Sequence, residues 1–310
     1  MKRITIVAAA FLIAAAAFAA WGTAAPGGKV AALAGPTAKP KKPPAKPKLP
    51  ALPSDVRKRK KWLIGVKCDF SPFGFIDVRG NHDGYDVQVA QRFASLAFGN
   101  KKKVDFTCVT TPSRIPTLMS GRVDIIVSTL TWTQARSEQI DFSIPYYSAV
   151  GRLLVPNNSS LGIGSLGGKT IVTTRGAIYA TWTSNCFKNS TLLQVDSPAL
   201  AVAAVKDGRA DTFMFDDAFL LGVATQDATL RLTGDKFLNV PWGIGIRKGD
   251  VAMNRWVNAA LRYMKKKDEF VKILRANAPA RLVPGFLDNV PRPKNTFVYP
   301  VGKDVASICP

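Results

Sequence analysis

Val123-Asp124-Ile125-Ile126-Val127-Ser128-Thr129-Leu130-Thr131-Trp132-Thr133-Gln134-Ala135-Arg136 is the stretch on which the reading of this chain turns. Its first five residues are short and rich in β-branching, the composition of a strand buried on both faces of a parallel sheet. Hydroxyls then crowd the carboxyl end, and Thr133 is placed to cap a helix whose first turn carries Arg136. Backbone N–H groups, hydroxyls and one guanidinium converge on a single spot. Arg offers a planar fork and helix N-termini favour anions, so the pattern suits a carboxylate. Read alone, the same residues also fit a strand-to-helix turn with a solvated Arg.

The flanks alternate strand and helix. Upstream, Trp62–Lys67 and Val104–Val109 read as strands, Tyr85–Leu96 carries helical apolar spacing, and Arg114–Ser120 is a short helix closed by Gly121. Downstream, Val150–Val155, Lys169–Thr174 and Thr212–Phe215 are strand-like, Ser197–Gly208 is helical, and Thr212–Phe215 ends in the pair Asp216-Asp217. Val240–Asp250 reads as strand and turn, followed by one long amphipathic helix over 251–276 and a Pro-punctuated end with little regular structure. A βαβαβ order implies parallel sheets covered by helices, with ligands beyond the carboxyl ends of the strands.

Both ends of the chain differ from this body. Lys2 and Arg3 precede an apolar run from Ile4 to Ala20, and Ala17-Phe18-Ala19 fits a cleavage site, so residues 1–25 are expected to be an export signal. An uncleaved anchor is the alternative. Residues 26–61 are rich in Pro, Ala and Lys and are expected to form an extended linker. Residues 1–61 hold 13 of the 43 Lys and Arg with Asp55 as their one acid. The remainder has 30 basic against 20 acidic residues, so much of the formal +22 belongs to this segment and not to a nucleic-acid groove. Four cysteines in an exported chain allow two disulfides in three connectivities. Adjacent strands favour Cys68 with Cys108, which leaves Cys186 with Cys309 to tie the chain end back. The spacings do not suit a metal, and the single His82 sits in a turn, so neither metal nor cofactor is expected.

With these segments in place, the sequence resembles the extracytoplasmic amino-acid-binding proteins of bacterial ATP-driven importers, the polar amino acid type. The resemblance is carried in order by Lys67-Cys68-Asp69-Phe70-Ser71-Pro72-Phe73-Gly74-Phe75, Gly84-Tyr85-Asp86-Val87, Arg114-Ile115-Pro116, Ser120-Gly121-Arg122-Val123-Asp124, Thr131–Arg136, Asp141–Tyr147 and Gly243–Asp250. It implies a two-lobed α/β fold of the periplasmic-binding-protein type II. Each lobe would be a parallel-type sheet with flanking helices, joined by two hinge crossings near Ser148-Ala149 and Val240-Pro241. Lobe 1 would comprise 62–148 plus 242–277, lobe 2 would be 149–241, and 278–310 would be an extension.

Residue by residue, the resemblance places Arg136 on a ligand α-carboxylate, supported by Thr131, Thr129 and Ser128. Asp216 falls where the ammonium-binding carboxylate sits, and Phe70 where an aromatic lies against the ligand side chain. Arg114 and Asp124 read as scaffold. Two departures bear on specificity. Gly176-Ala177-Ile178 replaces the more usual Gly-Thr or Gly-Ser followed by a small or polar residue, which loses one side-chain donor and leaves the backbone N–H groups of that helix start, Ile178 included, to meet a carboxylate. Lys67 stands where relatives that bind cationic or amide side chains carry Asp. If it faces the cleft, it repels basic ligands and favours glutamate or aspartate; the other reading points it at solvent. The expected partners are an amino acid and the permease and ATPase of an importer, for an exported monomer in the periplasm or at the envelope exterior. The rival functions are a cyclohexadienyl dehydratase-like enzyme and a sensing domain on the same scaffold.

Overall fold

The computed structural model describes residues 48–310. The expected signal segment and most of the expected linker lie outside these residues.

The Val123–Val127 run is buried throughout, as a strand covered on both faces must be. Ile125–Ile126 pairs in parallel with Trp62–Val66, and the amide of Val127 donates to Gly65. Trp62–Val66 pairs on its other side with Val104–Cys108, also in parallel. Gly245–Arg247 joins this first sheet antiparallel to Ile125–Ile126, and Ile140–Phe142 at the edge pairs antiparallel with Gly245–Arg247. Trp62, Trp256 of the helix Val251–Lys266 and Phe93 of the helix Tyr85–Phe98 lock one face, with the two indoles 5.0 Å apart.

The second sheet orders Thr191–Val195, Thr170–Thr174, Thr212–Asp216, Tyr147–Pro156 and Leu230–Leu232, with Phe237–Trp242 also paired to Tyr147–Pro156. Those last two strands carry the chain from one lobe to the other and back. They pair directly, Ala149 opposite Val240 and Ser148 opposite Pro241.

Several expectations need correction. The sheets are mixed, not purely parallel, because the chain must reverse through the crossing strands and so enters each sheet once from the opposite direction. The long helix over 251–276 is two, Val251–Lys266 and Glu269–Asn277. Asp268 adopts φ 52° between them and redirects the chain so that Phe270 and Leu274 reach the core. The loop after Cys68 holds a small antiparallel sheet of Asp69–Phe70, Gly74–Ile76 and His82–Asp83. The end of the expected linker folds onto the body. Ser54–Arg59 is helical, Val56 is fully buried, and Arg59 pairs with Asp124.

Cys68 is joined to Cys108 and Cys186 to Cys309. No helix among the described residues is long and apolar enough to cross a membrane.

Candidate functional site

The lobe-1 wall is built where Thr129 ends the central strand. Thr129 has φ 49°, a conformation that L side chains adopt only when neighbours over-determine it. Its amide donates to Asp86 (2.9 Å) and to the Tyr146 hydroxyl (3.1 Å), while that hydroxyl donates to the other oxygen of Asp86 (3.0 Å). Asp86 is fully buried, and burial pushes its carboxyl up to about 7 against the hydrogen bonds that pull it down. This buttress turns the carbonyls of Ser128 and Thr129 toward Arg114, which donates to both at 2.8 and 2.9 Å and to Thr111 at 3.1 Å.

Arg136 follows from Thr133, whose hydroxyl caps the helix Gln134–Gln139 by accepting from the Arg136 amide. The guanidinium donates to Thr131 at 2.6 Å within its own lobe and to Gly176 at 2.8 Å in the other. The lobes therefore touch through the fork of Arg136. Burial and then the like charge of Arg114 lower its pKa.

On lobe 2, the strand Thr212–Asp216 delivers Asp216 to the junction. Among the described residues only the Tyr179 hydroxyl donates to its side chain, at 2.7 Å. Burial is the main reason its carboxyl rises to about 7. The charge of Asp217 adds to that, while Tyr179, Arg114 and Arg136 oppose it. Asp217 does different work: it accepts from the Val150 amide and from Asn289, which pins the crossing strand to the extension.

Thr111, Arg114, Thr129, Thr131, Ala177, Ile178, Tyr179, Phe215 and Asp216 enclose a cavity of about 10 Å³ between the lobes, room for about one water. Outside it, Arg136, Ile178 and residues of both lobes line a groove of about 520 Å³.

Of the residues expected at a site, Thr129, Thr131, Ile178 and Asp216 face the inner cavity and Arg136 bridges the lobes beside it. Ser128 is fully buried with its hydroxyl unpartnered. Phe70 lies one ring further back, packed on Phe215, Phe219 and Trp242 at 5.2–6.0 Å. Lys67 is 1% exposed, so the solvent reading is overturned. Its ammonium pairs with Asp69 at 2.9 Å and donates to Thr111 at 3.0 Å. Burial lowers its pKa against the supporting charge of Asp69.

Five cavity residues, Thr111, Arg114, Ala177, Tyr179 and Phe215, were not among those expected at the site. Arg114, read as scaffold, holds backbone carbonyls and also forms part of the cavity wall. Tyr179 had no signal beyond its place in the first turn of the helix Ile178–Cys186.

Residues 63–277 match the family described as bacterial extracellular solute-binding proteins, family 3. The chain is 32% identical over 223 residues to the ABC transporter glutamine-binding protein GlnH of Bacillus subtilis (strain 168), covering 71% of this chain and 82% of that one. It is 33% identical over 196 residues to a glutamine-binding protein of Geobacillus stearothermophilus, covering 62% and 75%. The solved solute receptor for L-cysteine of Neisseria gonorrhoeae superposes with a TM-score of 0.70 at 26% identity, covering 73% of this chain and 93% of that one. With two sheets joined by two crossing strands and a match over most of its length, this chain belongs to the bacterial extracellular solute-binding proteins, family 3.

Proposed function

We propose that this protein binds an amino acid between its lobes, outside the cytoplasm, and delivers it to an ABC importer. The observation that carries the reading is the opposition of Arg136 on lobe 1 to Asp216 on lobe 2. One offers a cationic fork and the other a carboxylate with one oxygen not engaged by a hydrogen bond from the described residues. A zwitterion satisfies both, with its α-carboxylate replacing the Gly176 carbonyl on Arg136 and its ammonium meeting Asp216. Each desolvated charged hydrogen bond is worth about 1.5–3 kcal/mol, and the two ends belong to different lobes, so binding favours closure.

We further propose that the preferred side chain is acidic. Arg114 in the cavity wall and Lys67 behind Thr111 of that wall are buried cations, and among the described residues the carboxylate paired with Lys67 is Asp69. A basic ligand would meet two like charges; a glutamate or aspartate carboxylate would complement them. The relatives named for glutamine make the amide the main competitor.

The test is a thermal-shift panel on the purified full chain with the twenty amino acids, prephenate and arogenate. A ligand that binds only the native state raises the melting temperature. The largest shift is expected with glutamate or aspartate. A larger shift with glutamine or arginine would remove the acidic preference and keep the clamp. A response confined to prephenate or arogenate would replace binding for import with dehydratase chemistry.

A further inference from the structure

The family match ends at residue 277, and the chain continues for 33 residues with a course of its own. It begins behind the hinge, where Phe286 is fully buried against Phe73 of lobe 1 and Asn289 donates to Asp217 at the crossing strand. It then runs to lobe 1 beside Trp132. Tyr299 stacks on Trp132 with ring centroids 5.4 Å apart and packs edge-on to Phe142 at 6.1 Å. Its hydroxyl donates to the Ser143 carbonyl at 2.6 Å. The seat is specific: the Tyr299 hydroxyl occupies the space that any Cβ at Gly243 would need.

Six residues later the chain is on lobe 2. Val305–Ser307 forms a single turn capped by Asp304, with Val305 and Ala306 buried. Trp182 donates to the Ile308 carbonyl at 2.8 Å and Asn185 to the Ala306 carbonyl at 2.9 Å. The disulfide from Cys309 to Cys186 then fixes this end to the helix Ile178–Cys186, which also carries Tyr179 of the inner cavity. Between the two anchors, Asp304 and Ala306 form part of the wall of the groove that holds Arg136 and Ile178. The extension thus passes beside the mouth of the cleft.

We propose that residues 290–309 are a strap that holds the two lobes closed and limits how far the hinge opens. This rests on the reading that the lobes part to admit a ligand. In a clamp joined only by two crossing strands, the mouth is free to gape. Here the lobe-2 end cannot release, because it is covalently bound. Opening must therefore unseat Tyr299 or stay within the reach of the chain between Tyr299 and Val305, about 20 Å when fully extended. The strap adds contacts present only when both lobes lie against it, so it favours the closed form and slows passage of ligand in both directions.

The experiment compares the full-length oxidised protein with Tyr299→Ala and with the double variant Cys186→Ser/Cys309→Ser, without ligand by small-angle X-ray scattering and with glutamate by stopped-flow fluorescence. Tyr299→Phe, which keeps the stack and loses the hydroxyl, serves as the mild variant should either of the others fail to fold. The strap predicts a larger radius of gyration for each ligand-free variant and several-fold faster association and dissociation, with Tyr299→Phe intermediate. Unchanged scattering and unchanged exchange rates in folded variants would overturn it. If the wild-type protein binds no amino acid, the proposed function fails, and the scattering comparison still decides the strap.

Discussion

Asp86 and Asp216 are two buried aspartates on opposite sides of one cleft, each pushed up to about 7 by the same cause. They differ in what fills their oxygens. Asp86 accepts on both, from the Thr129 amide and the Tyr146 hydroxyl, and every partner belongs to lobe 1. Asp216 accepts on one, from Tyr179, while facing the cavity and the charges of Arg114 and Arg136 across it. A buried carboxylate with both oxygens engaged fixes backbone; one with a single oxygen engaged at a lobe junction is poised to accept another donor. Burial and charge alone do not separate scaffold from site. Asking whether each oxygen has a partner does.

The largest effect that separates the two falls on Asp86. Asp86→Ala takes the acceptor from the buried Tyr146 hydroxyl and leaves the Thr129 amide with that hydroxyl alone, and it should cost about 2–5 kcal/mol of stability, read as a lowered urea midpoint. Asp216→Asn should leave that midpoint within about 1 kcal/mol, because it removes a buried charge and keeps an acceptor for Tyr179. In the same variant amino-acid affinity should fall at least ~100-fold by calorimetry, since an amide meets an ammonium poorly. Equal effects of the two substitutions on stability would erase the distinction.

A smaller effect appears as pH dependence. The ligand's ammonium needs Asp216 ionised, and the free protein holds it at about 7. Affinity should therefore be full above that value and fall about tenfold between pH 8 and pH 6. The Asp216→Asn profile should be nearly flat over the same window. A flat wild-type profile would mean that Asp216 does not meet the ammonium. The smallest shift concerns side-chain choice. Lys67→Met should lower the ratio of glutamate to glutamine affinity by roughly tenfold, and an unchanged ratio would confine Lys67 to its pair with Asp69.

Much of the fold was legible because its strands are short β-branched runs, as in Ile125–Ile126 and Thr170–Thr174, and its helices carry clear caps such as Thr133 and Ser197. The parts that escaped lack local signals. Asp69–Phe70 and His82–Asp83 are two-residue strands defined by their partners and not by any alternation. The break at Asp268 has neither Gly nor Pro to mark it. Thr191–Val195 is a sheet-edge strand that begins with an exposed Thr and has no fully buried position. At the site, Thr131, Arg136 and Asp216 stood out as polar groups at strand and helix ends. Arg114 did not, because its role depends on carbonyls 14 and 15 residues away turning toward it. The course of the extension was equally hidden: Cys309 announced a tether, but nothing in the spacing announced the seat of Tyr299 on lobe 1.

The most direct test of the clamp is a calorimetric titration of the full chain with glutamate, with 4-aminobutyrate, which lacks the α-carboxylate, and with glutarate, which lacks the ammonium. If Arg136 and Asp216 each read one end of the zwitterion, both truncated ligands should bind at least ~100-fold more weakly than glutamate, a loss of about 2.7 kcal/mol or more each. Binding of either within a few-fold of glutamate would contradict the account, because the group it lacks could not then be held by the residue assigned to it.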